Sequence, residues 1–268
     1  MTVPDPRVEP NVDLDDLDDL DDEYVGNDEG QPDGDGAHGP ERAERKPLSW
    51  HEARRPFLIT VAAIAALVIA VLSGYSLGKP HYPADDSVDA GFARDMTAHH
   101  AQAVDMSLTI RSKSTSTDVR TLAYDVVTTQ ENQRGQMMAW LQTWGLPLAV
   151  SGQRMDWMKQ TGHHHTGLPQ GQMLLADGRM PGMASSAQLQ QLSAATGKNA
   201  EILYLQLMIV HHRAGVEMAQ AAVDAADRPE VVRLARSMVQ GQTGEINLMT
   251  DMLKQRGAVP WPQGQQSG

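Results

Sequence analysis

The feature that most constrains this chain of 268 residues is an internal repeat. When the sequence is shifted by 112 positions, residues 92–145 align with residues 204–257 without a gap, and 13 of the 54 aligned positions are identical. The two copies share a pair of histidines, several methionines and a final glycine. Self-similarity at a fixed period is the signature of a duplicated structural unit. The fold is therefore expected to contain the same unit twice.

Each copy of the repeat has apolar residues at helical spacing, which predicts two helices per copy. Both copies end in a glycine, as helices commonly do, and Pro229 suits the first turn of the last helix. A short helix is expected near 186–195, and no segment shows the alternation of a strand. The predicted fold is all-α: two helical hairpins forming a four-helix bundle over residues 84–258, joined by a long connection, residues 146–185. The four predicted helices cover residues 86–113, 117–144, 198–226 and 229–256.

The segment Pro56–Gly78 carries no charged residue over 23 positions. A helix of this length, rising about 1.5 Å per residue, spans a hydrocarbon core of roughly 30 Å. Arg54 and Arg55 precede it and acidic residues follow, so the positive-inside rule places the N-terminus in the cytoplasm. We predict an uncleaved signal-anchor that crosses the cell membrane once through residues 56–78, with the C-terminal domain extracytoplasmic.

Small residues recur at every fourth position along this apolar segment. Such a stripe lets two membrane helices approach closely, which makes a homodimer one interpretation. The other interpretation is composition alone, since alanine is common in membrane helices. The stripe consists of Ala62, Ala66, Ala70, Gly74 and Gly78.

The net charge of −12 arises in the N-terminal tail. Residues 1–40 contain 14 acidic residues and one arginine, whereas the remainder has 20 acidic and 21 basic residues. We expect residues 1–53 to be a disordered cytoplasmic tail, because charge runs with glycine and proline cannot form a core. The near-neutral remainder has no basic stripe, which argues against nucleic acid as a partner. The absence of cysteine fits an extracytoplasmic domain without disulfides and removes thiolate as a metal ligand.

The chemistry of the chain centres on two matching stretches, MTAHHAQAVDM at 96–106 and MIVHHRAGVEM at 208–218. On a helix, the first histidine and the two methionines of each stretch share one face, and the second histidine lies at its edge. A small residue between histidine and methionine leaves room for an ion or for close helix approach. Imidazole with thioether suits copper, Cu(I) above all. The candidate ligands are Met96, His99, His100, Met106, Met208, His211, His212 and Met218.

Two other interpretations of these stretches remain open. The methionines could fill a core that is poor in phenylalanine, with His99 and His211 held by Gln130, Gln242 or Glu245. A di-iron site is disfavoured, because no acidic residue stands three positions before any of these histidines.

The connection is itself rich in methionine and histidine. Loops usually have no core to fill, so these residues form a second candidate set for copper, although part of the loop could pack over the bundle. The loop candidates are Met155, Met158, His163, His164, His165, Met180 and Met183, with Met173 nearby.

The stretches MTAHHAQAVDMS, LMIVHHRAGVEMAQ, MPGM and QTGEINLM resemble the DUF305 family of bacterial proteins over about residues 88–257. The resemblance implies a ferritin-like four-helix fold, commonly exported or membrane-anchored, with some members linked to periplasmic copper binding and resistance. The first copy departs from the family's Q-x-x-E pattern, with Gln133 where the second copy has Glu245.

Three functions follow as hypotheses. The leading one is an extracytoplasmic copper-binding protein that scavenges, buffers or transfers the metal. The second is a metal-dependent oxidase using the same histidines, and the third is a structural helical module that binds another envelope protein. The sequence favours binding over catalysis, because no hydrolase or phosphate-loop motif occurs.

Overall fold

The computed structural model describes residues 49–149 and 152–262, and within these ranges the chain is all-helical, as predicted. The bounds of the four long helices of the repeat and of the short helix before the second copy lie within two residues of the predicted ones. A short 3₁₀ helix at Asp156–Gln160 was not expected from the sequence. The α-helices are α1 (Trp50–Leu77), α2 (Val88–Lys113), α3 (Thr117–Thr143), α4 (Ser186–Ala194), α5 (Gly197–Ala225) and α6 (Pro229–Gln255).

The chain divides into two units, residues 1–74 and 75–268. The described part of the first unit is α1 as far as Gly74. The segment Arg54–Leu77 of this helix is long and apolar enough to cross a membrane. Its apolar side chains are exposed along its length. The predicted disordered tail lies mostly outside the described residues, and its last residues open α1, which begins at Trp50 rather than Pro56.

In the second unit, each copy of the repeat forms one helical hairpin. Helix α2 packs against α3, α5 packs against α6, and α2 against α5 forms the interface between the hairpins. Both hairpins end in the same cap. Gly145 and Gly257 each have a φ of 71°, and the next residue in each case donates its N–H to the carbonyl of Leu141 or Leu253. This is the Schellman arrangement, which glycine favours because it tolerates a left-handed backbone.

The interior of the second unit contains two apolar cores, named here after one residue of each. The Trp157 core includes Met96 and Met218, and the Tyr204 core includes Met106 and Met208. Because the first methionine of one motif shares a core with the second methionine of the other, α2 and α5 must run antiparallel. The histidines lie between those methionines on both helices, and so between the two cores.

The connection between the hairpins packs into the structure instead of lying free. Asp95 on α2 is buried and accepts hydrogen bonds from the Met155 backbone N–H at 2.7 Å and from Trp157 Nε1 at 3.1 Å. The Trp157 ring then lies against Gly91, where a Cβ would come within 2.5 Å of it. A single carboxylate thus fixes the start of the connection on α2.

Residues 179–184, called here the Gly182 strap, lie on the centres of α2 and α5. The Gln102 side chain donates to the Ala184 carbonyl at 3.0 Å and accepts from the Ala184 N–H at 2.6 Å. Gly182 has a φ of 80°, and a Cβ there would lie 2.5 Å from Ala214 Cβ and 3.2 Å from His211 Cα. The strap therefore reaches the backbone of α5 at the histidine motif, and only glycine fits at position 182.

Candidate metal centre

The first histidines of the two motifs meet face to face at the crossing of α2 and α5. His99 and His211 are 0% and 1% exposed, and their ring centroids lie 3.7 Å apart with the planes tilted by 31°. His211 Nε2 donates to the His99 backbone carbonyl at 3.0 Å. Neither ring nitrogen of His99 has a hydrogen-bond partner among the described residues. A buried polar group left unsatisfied costs about 1–3 kcal/mol, and the His99 ring has two such atoms.

Burial keeps this pair neutral at physiological pH. The pKa of His99 is lowered well below 6.5, first by burial and then by the neighbouring His100, His212 and His165. The carbonyl of Pro181 acts in the opposite direction on this pKa, although it does not meet hydrogen-bond geometry at either ring nitrogen. The pKa of His211 is lowered in the same way, by burial first. A neutral imidazole keeps a lone pair that can bind a metal.

The second histidines of the motifs, which the sequence places at the edge of the stripe, are fully buried. His100 Nε2 lies 2.7 Å from Gln133 Oε1, and His212 Nε2 lies 2.6 Å from Glu245 Oε2. Each acceptor stands 33 residues after its histidine, so the two bonds are equivalent in the repeat. If each Nε2 carries the proton, each Nδ1 has the lone pair. Both Nδ1 atoms lack a partner in the part of the chain that is described.

The histidine run of the connection separates into one buried and two more accessible residues. His165 has a side chain with 0% exposure, and its Nδ1 lies 2.8 Å from Glu217 Oε2. Its Nε2 is buried and has no partner within the described ranges. His163 lies 3.0 Å from Asp224 and is partly exposed, and His164 is exposed. Only His165 of the three therefore belongs to the buried histidine cluster.

Glu217 carries its negative charge close to that cluster. Burial alone would raise its pKa, but hydrogen bonds from His165 and the Thr166 backbone lower the pKa below its ordinary value. The carboxylate is therefore ionised at neutral pH. The sequence does not reveal this role of Glu217, because only the folded connection brings His165 to it.

The methionines lie in the cores. All four candidate methionines on α2 and α5 are fully buried, and Met155, Met158, Met173 and Met180 of the connection are buried in the Trp157 core. Met183 is partly buried against the same core. The premise that the connection has no core to fill is wrong, because the loop contributes side chains to the core itself. Met155, Met158 and Met180 are accordingly core residues, whatever further role they have.

The space beside the small residue of the second motif is already filled. A Cβ on Gly215 would overlap Gln242 Oε1, so glycine here accommodates the Gln242 amide. Within the residues described, the Oε1 atoms of Gln242 and its repeat equivalent Gln130 have no partner. The interpretation in which Gln130, Gln242 or Glu245 hold His99 and His211 is also wrong, because Glu245 binds His212 instead.

The buried imidazoles do not form a complete metal cage by themselves. Across residues 49–149 and 152–262, no group of three or more histidine, aspartate or glutamate side chains is arranged to hold a metal ion. The donors that remain beside the imidazoles are the thioethers on either side of the histidines, which suit a soft ion.

The contacts of Gln133 with His100 and of Glu245 with His212 were not predicted, because the sequence offered Glu245 only as a partner of His99 or His211. A signal for them does exist in the repeat. Each stands three positions after an identical glutamine, Gln130 or Gln242, and thus on the same face of its helix.

Comparison with known proteins gives a family and several solved folds. The family model of DUF305, a domain of unknown function, matches residues 89–253. A crystal structure of a DUF305 protein from Streptomyces coelicolor is 46% identical, covering 67% of this chain and 100% of its own, with a TM-score of 0.59. A DUF305 fragment from Deinococcus radiodurans is 33% identical, covering 65% of this chain and 99% of its own, with a TM-score of 0.50.

More distant structures are those of CopM. In its Cu(I)-bound form CopM is 23% identical over 62% of this chain and 96% of its own, with a TM-score of 0.47. Among curated proteins, none matches the chain.

Proposed function

The chain belongs to the DUF305 family, and from that premise we propose that it is a copper-binding protein that scavenges, buffers or transfers the metal outside the cytoplasm. The observation that carries this proposal is the environment of the His99 ring. The ring is fully buried, and neither of its nitrogens has a hydrogen-bond partner in the described residues. The ring also faces that of His211, with 3.7 Å between the two ring centroids. A purely structural core histidine would normally be hydrogen-bonded, so this ring is better explained by a ligand.

Copper in its Cu(I) form fits the chemistry of the surroundings. Burial leaves His99 and His211 neutral, so no proton has to leave before a metal binds. Thioether sulfur and imidazole are soft or intermediate donors, and the apolar cores above and below offer little to a hard, strongly hydrated ion. Among the methionines of those cores, Met96 and Met218 come from one and Met106 and Met208 from the other.

We infer that the four long helices form a ferritin-like bundle held at the membrane by α1. The two hairpins and the contact of α2 with α5 support the bundle. The exposed apolar side chains of α1 and the arginines before its apolar segment support a single membrane crossing with the second unit extracytoplasmic.

A Cu(I) titration of the full-length protein in detergent tests the proposal. The protein, freed of metal by a chelator, is titrated anaerobically against a chromophoric Cu(I) indicator, with Zn(II) as the comparison ion. The proposal expects at least one Cu(I) per chain and preference for Cu(I) over Zn(II). Protein that leaves all Cu(I) with the indicator contradicts it, and sustained oxidation of added Cu(I) in air would favour an oxidase.

A further inference from the structure

The first histidines of the two motifs are fully buried, so a ligand reaches them only if part of the protein moves aside. We propose that this part is the Gly182 strap, which acts as a lid over His99 and His211, and that the side chain of Gln102 holds the lid closed. The nature of the ligand, a Cu(I) ion, rests on the function proposed above. The lid itself depends only on the contacts of the strap and can be tested without metal.

The strap is fixed at two equivalent positions of the repeat. Gln102 and Ala214 are 112 residues apart, and each stands three residues after the first histidine of its motif, on the same helix face. The Gln102 amide makes two hydrogen bonds with the Ala184 backbone, and a Cβ on Gly182 would lie 2.5 Å from Ala214 Cβ. Because α2 and α5 are equivalent and antiparallel, equivalent positions lie on opposite sides of the point where the two first histidines meet. A segment bound at both positions therefore passes over that point.

The two apolar cores place the strap at the same level. Met180, near its beginning, is buried in the Trp157 core, and Ala184, at its end, is buried in the other core. The histidines lie between those cores, so the strap passes from one core to the other across the histidine layer. The middle of the strap contacts this layer directly, since a Cβ on Gly182 would lie 3.2 Å from His211 Cα.

The strap opens at a lower cost than the helices beneath it. Separating α2 from α5 would expose both apolar cores, whereas lifting the strap breaks two hydrogen bonds to Gln102 and exposes Met180 and Ala184. Segments with few buried apolar contacts open first in native proteins. Gly178, just before the strap, has a left-handed backbone, and among the described residues no atom lies within 4 Å of the position that its Cβ would take, so the chain has room to turn there.

A carboxamide is suited to hold such a lid closed. In the closed state the Gln102 amide satisfies both the N–H and the carbonyl of Ala184, a residue that is 5% exposed. In the open state water satisfies the same two backbone groups. Because a buried backbone group without a partner is costly, loss of the amide destabilises the closed state and leaves the open state unchanged. Gln102 thus sets the fraction of molecules in which the histidine pair is accessible.

Modification of histidines by diethyl pyrocarbonate tests the lid without metal, because this reagent reacts with accessible, neutral imidazoles. The full-length protein in detergent, freed of metal by a chelator, is treated briefly, and the modified residues are located by mass spectrometry. In Gln102→Ala we expect about tenfold faster modification of His99 and His211, the factor that corresponds to the net loss of one or two hydrogen bonds. His100 and His212, which reach α3 and α6, should react at the parent's rate.

The matched control is Gln206→Ala. Gln206 Nε2 donates to the Val259 carbonyl at 2.9 Å and so holds the residues that follow α6 against α5. This variant should leave the modification of His99 and His211 unchanged. The lid is overturned if Gln102→Ala changes nothing, if all four core histidines react faster to the same extent, or if Gln206→Ala gives the effect expected of Gln102→Ala.

Transfer of Cu(I) connects the lid to the proposed function. A lid that opens for both entry and exit affects the two rates equally. Gln102→Ala should therefore accelerate Cu(I) uptake from a chromophoric donor and Cu(I) release to an acceptor by the same factor, and keep the parent's Kd. Equal rates in parent and variant, when both bind Cu(I), overturn the lid. If neither binds Cu(I), the proposed function is contradicted, and the histidine modification still decides whether the strap is a lid.

Discussion

Adjacent histidines in each motif meet different surroundings, because successive residues on a helix point about 100° apart. His99 and His211 face each other across α2 and α5. His100 reaches α3 and His212 reaches α6, where Gln133 and Glu245 accept their hydrogen bonds. The repeat in the sequence is sufficient to identify all four histidines. Their partners depend on how the hairpins fold, and the contact of His165 with Glu217 depends on the connection.

The buried histidines predict a loss of stability in acid. The pKa values of His99, His100 and His211 are lowered in the folded state, whereas an unfolded histidine has a pKa of about 6.5. The unfolded state therefore binds more protons below that pH, and stability falls as the pH falls. From pH 7.5 to 5.5 we expect a loss of about 1 kcal/mol per buried histidine, measured by chemical denaturation with a copper chelator present.

Replacing one of these histidines checks the origin of that loss. His100→Gln should reduce the pH dependence of the unfolding free energy by the contribution of one buried histidine. His164→Gln, at an exposed position, is the control and should leave the dependence as in the parent. If His100→Gln keeps the parent's full pH dependence, the assignment to buried neutral histidines is wrong.

At the scale of elements, the helices were predictable and the connection was not. Apolar periodicity and end signals such as Pro229, Gly145 and Gly257 define each long helix locally, which is why their bounds are nearly correct. The connection has no period, and its placement depends on side chains of α2 that lie far away in sequence. Asp95 holds Met155 and Trp157, and Gln102 holds Ala184. Its methionines therefore looked like loop residues although they belong to a core.

The packing of the Gly182 strap on α5 can be tested by substitution. Gly182→Ala should destabilise the protein by about 2–4 kcal/mol, because the new Cβ meets the backbone and side chains of α5 and the left-handed backbone disfavours alanine. Gly178 is a matched control, since it has a similar φ of 82° and nothing within 4 Å of a Cβ. Gly178→Ala should lower the free energy of unfolding only by the cost of placing alanine in a left-handed backbone, about 1 kcal/mol. Thermal or chemical unfolding of both variants measures the difference, and equal losses would show that the strap does not lie on α5.

For the whole molecule, the repeat determines where the site can be. Because α2 and α5 are equivalent and antiparallel, equivalent residues near their midpoints come together, and those residues are the histidines. The sequence was enough to predict this meeting, since the centres of the long helices coincide however two hairpins pair. The sequence was not enough to show that Gln133 contacts His100 and Glu245 contacts His212. These partners, an amide in one copy and a carboxylate in the other, distinguish the two halves.

Membrane topology is also a property of the whole molecule, and it gives a further prediction. From the uncharged segment of α1 and the arginines Arg54 and Arg55 before it, we predict that the second unit lies outside the cytoplasm. A reporter that is active only after export, fused behind Gly268, should be active, and a cytoplasmic reporter at the same point should be inactive. The reverse pattern would contradict the orientation.

The central claim is that the core histidines bind copper, and the double variant His99→Gln with His211→Gln tests it most directly. In anaerobic Cu(I) competition titrations of the full-length protein, we expect stoichiometric binding to disappear while circular dichroism shows the helical content of the parent. The control is His163→Gln with His164→Gln, which changes the two accessible histidines of the connection and should bind as the parent does. If the core variant binds copper as tightly as the parent, and only replacement of the methionines and histidines between residues 155 and 183 removes binding, the core is not the metal site.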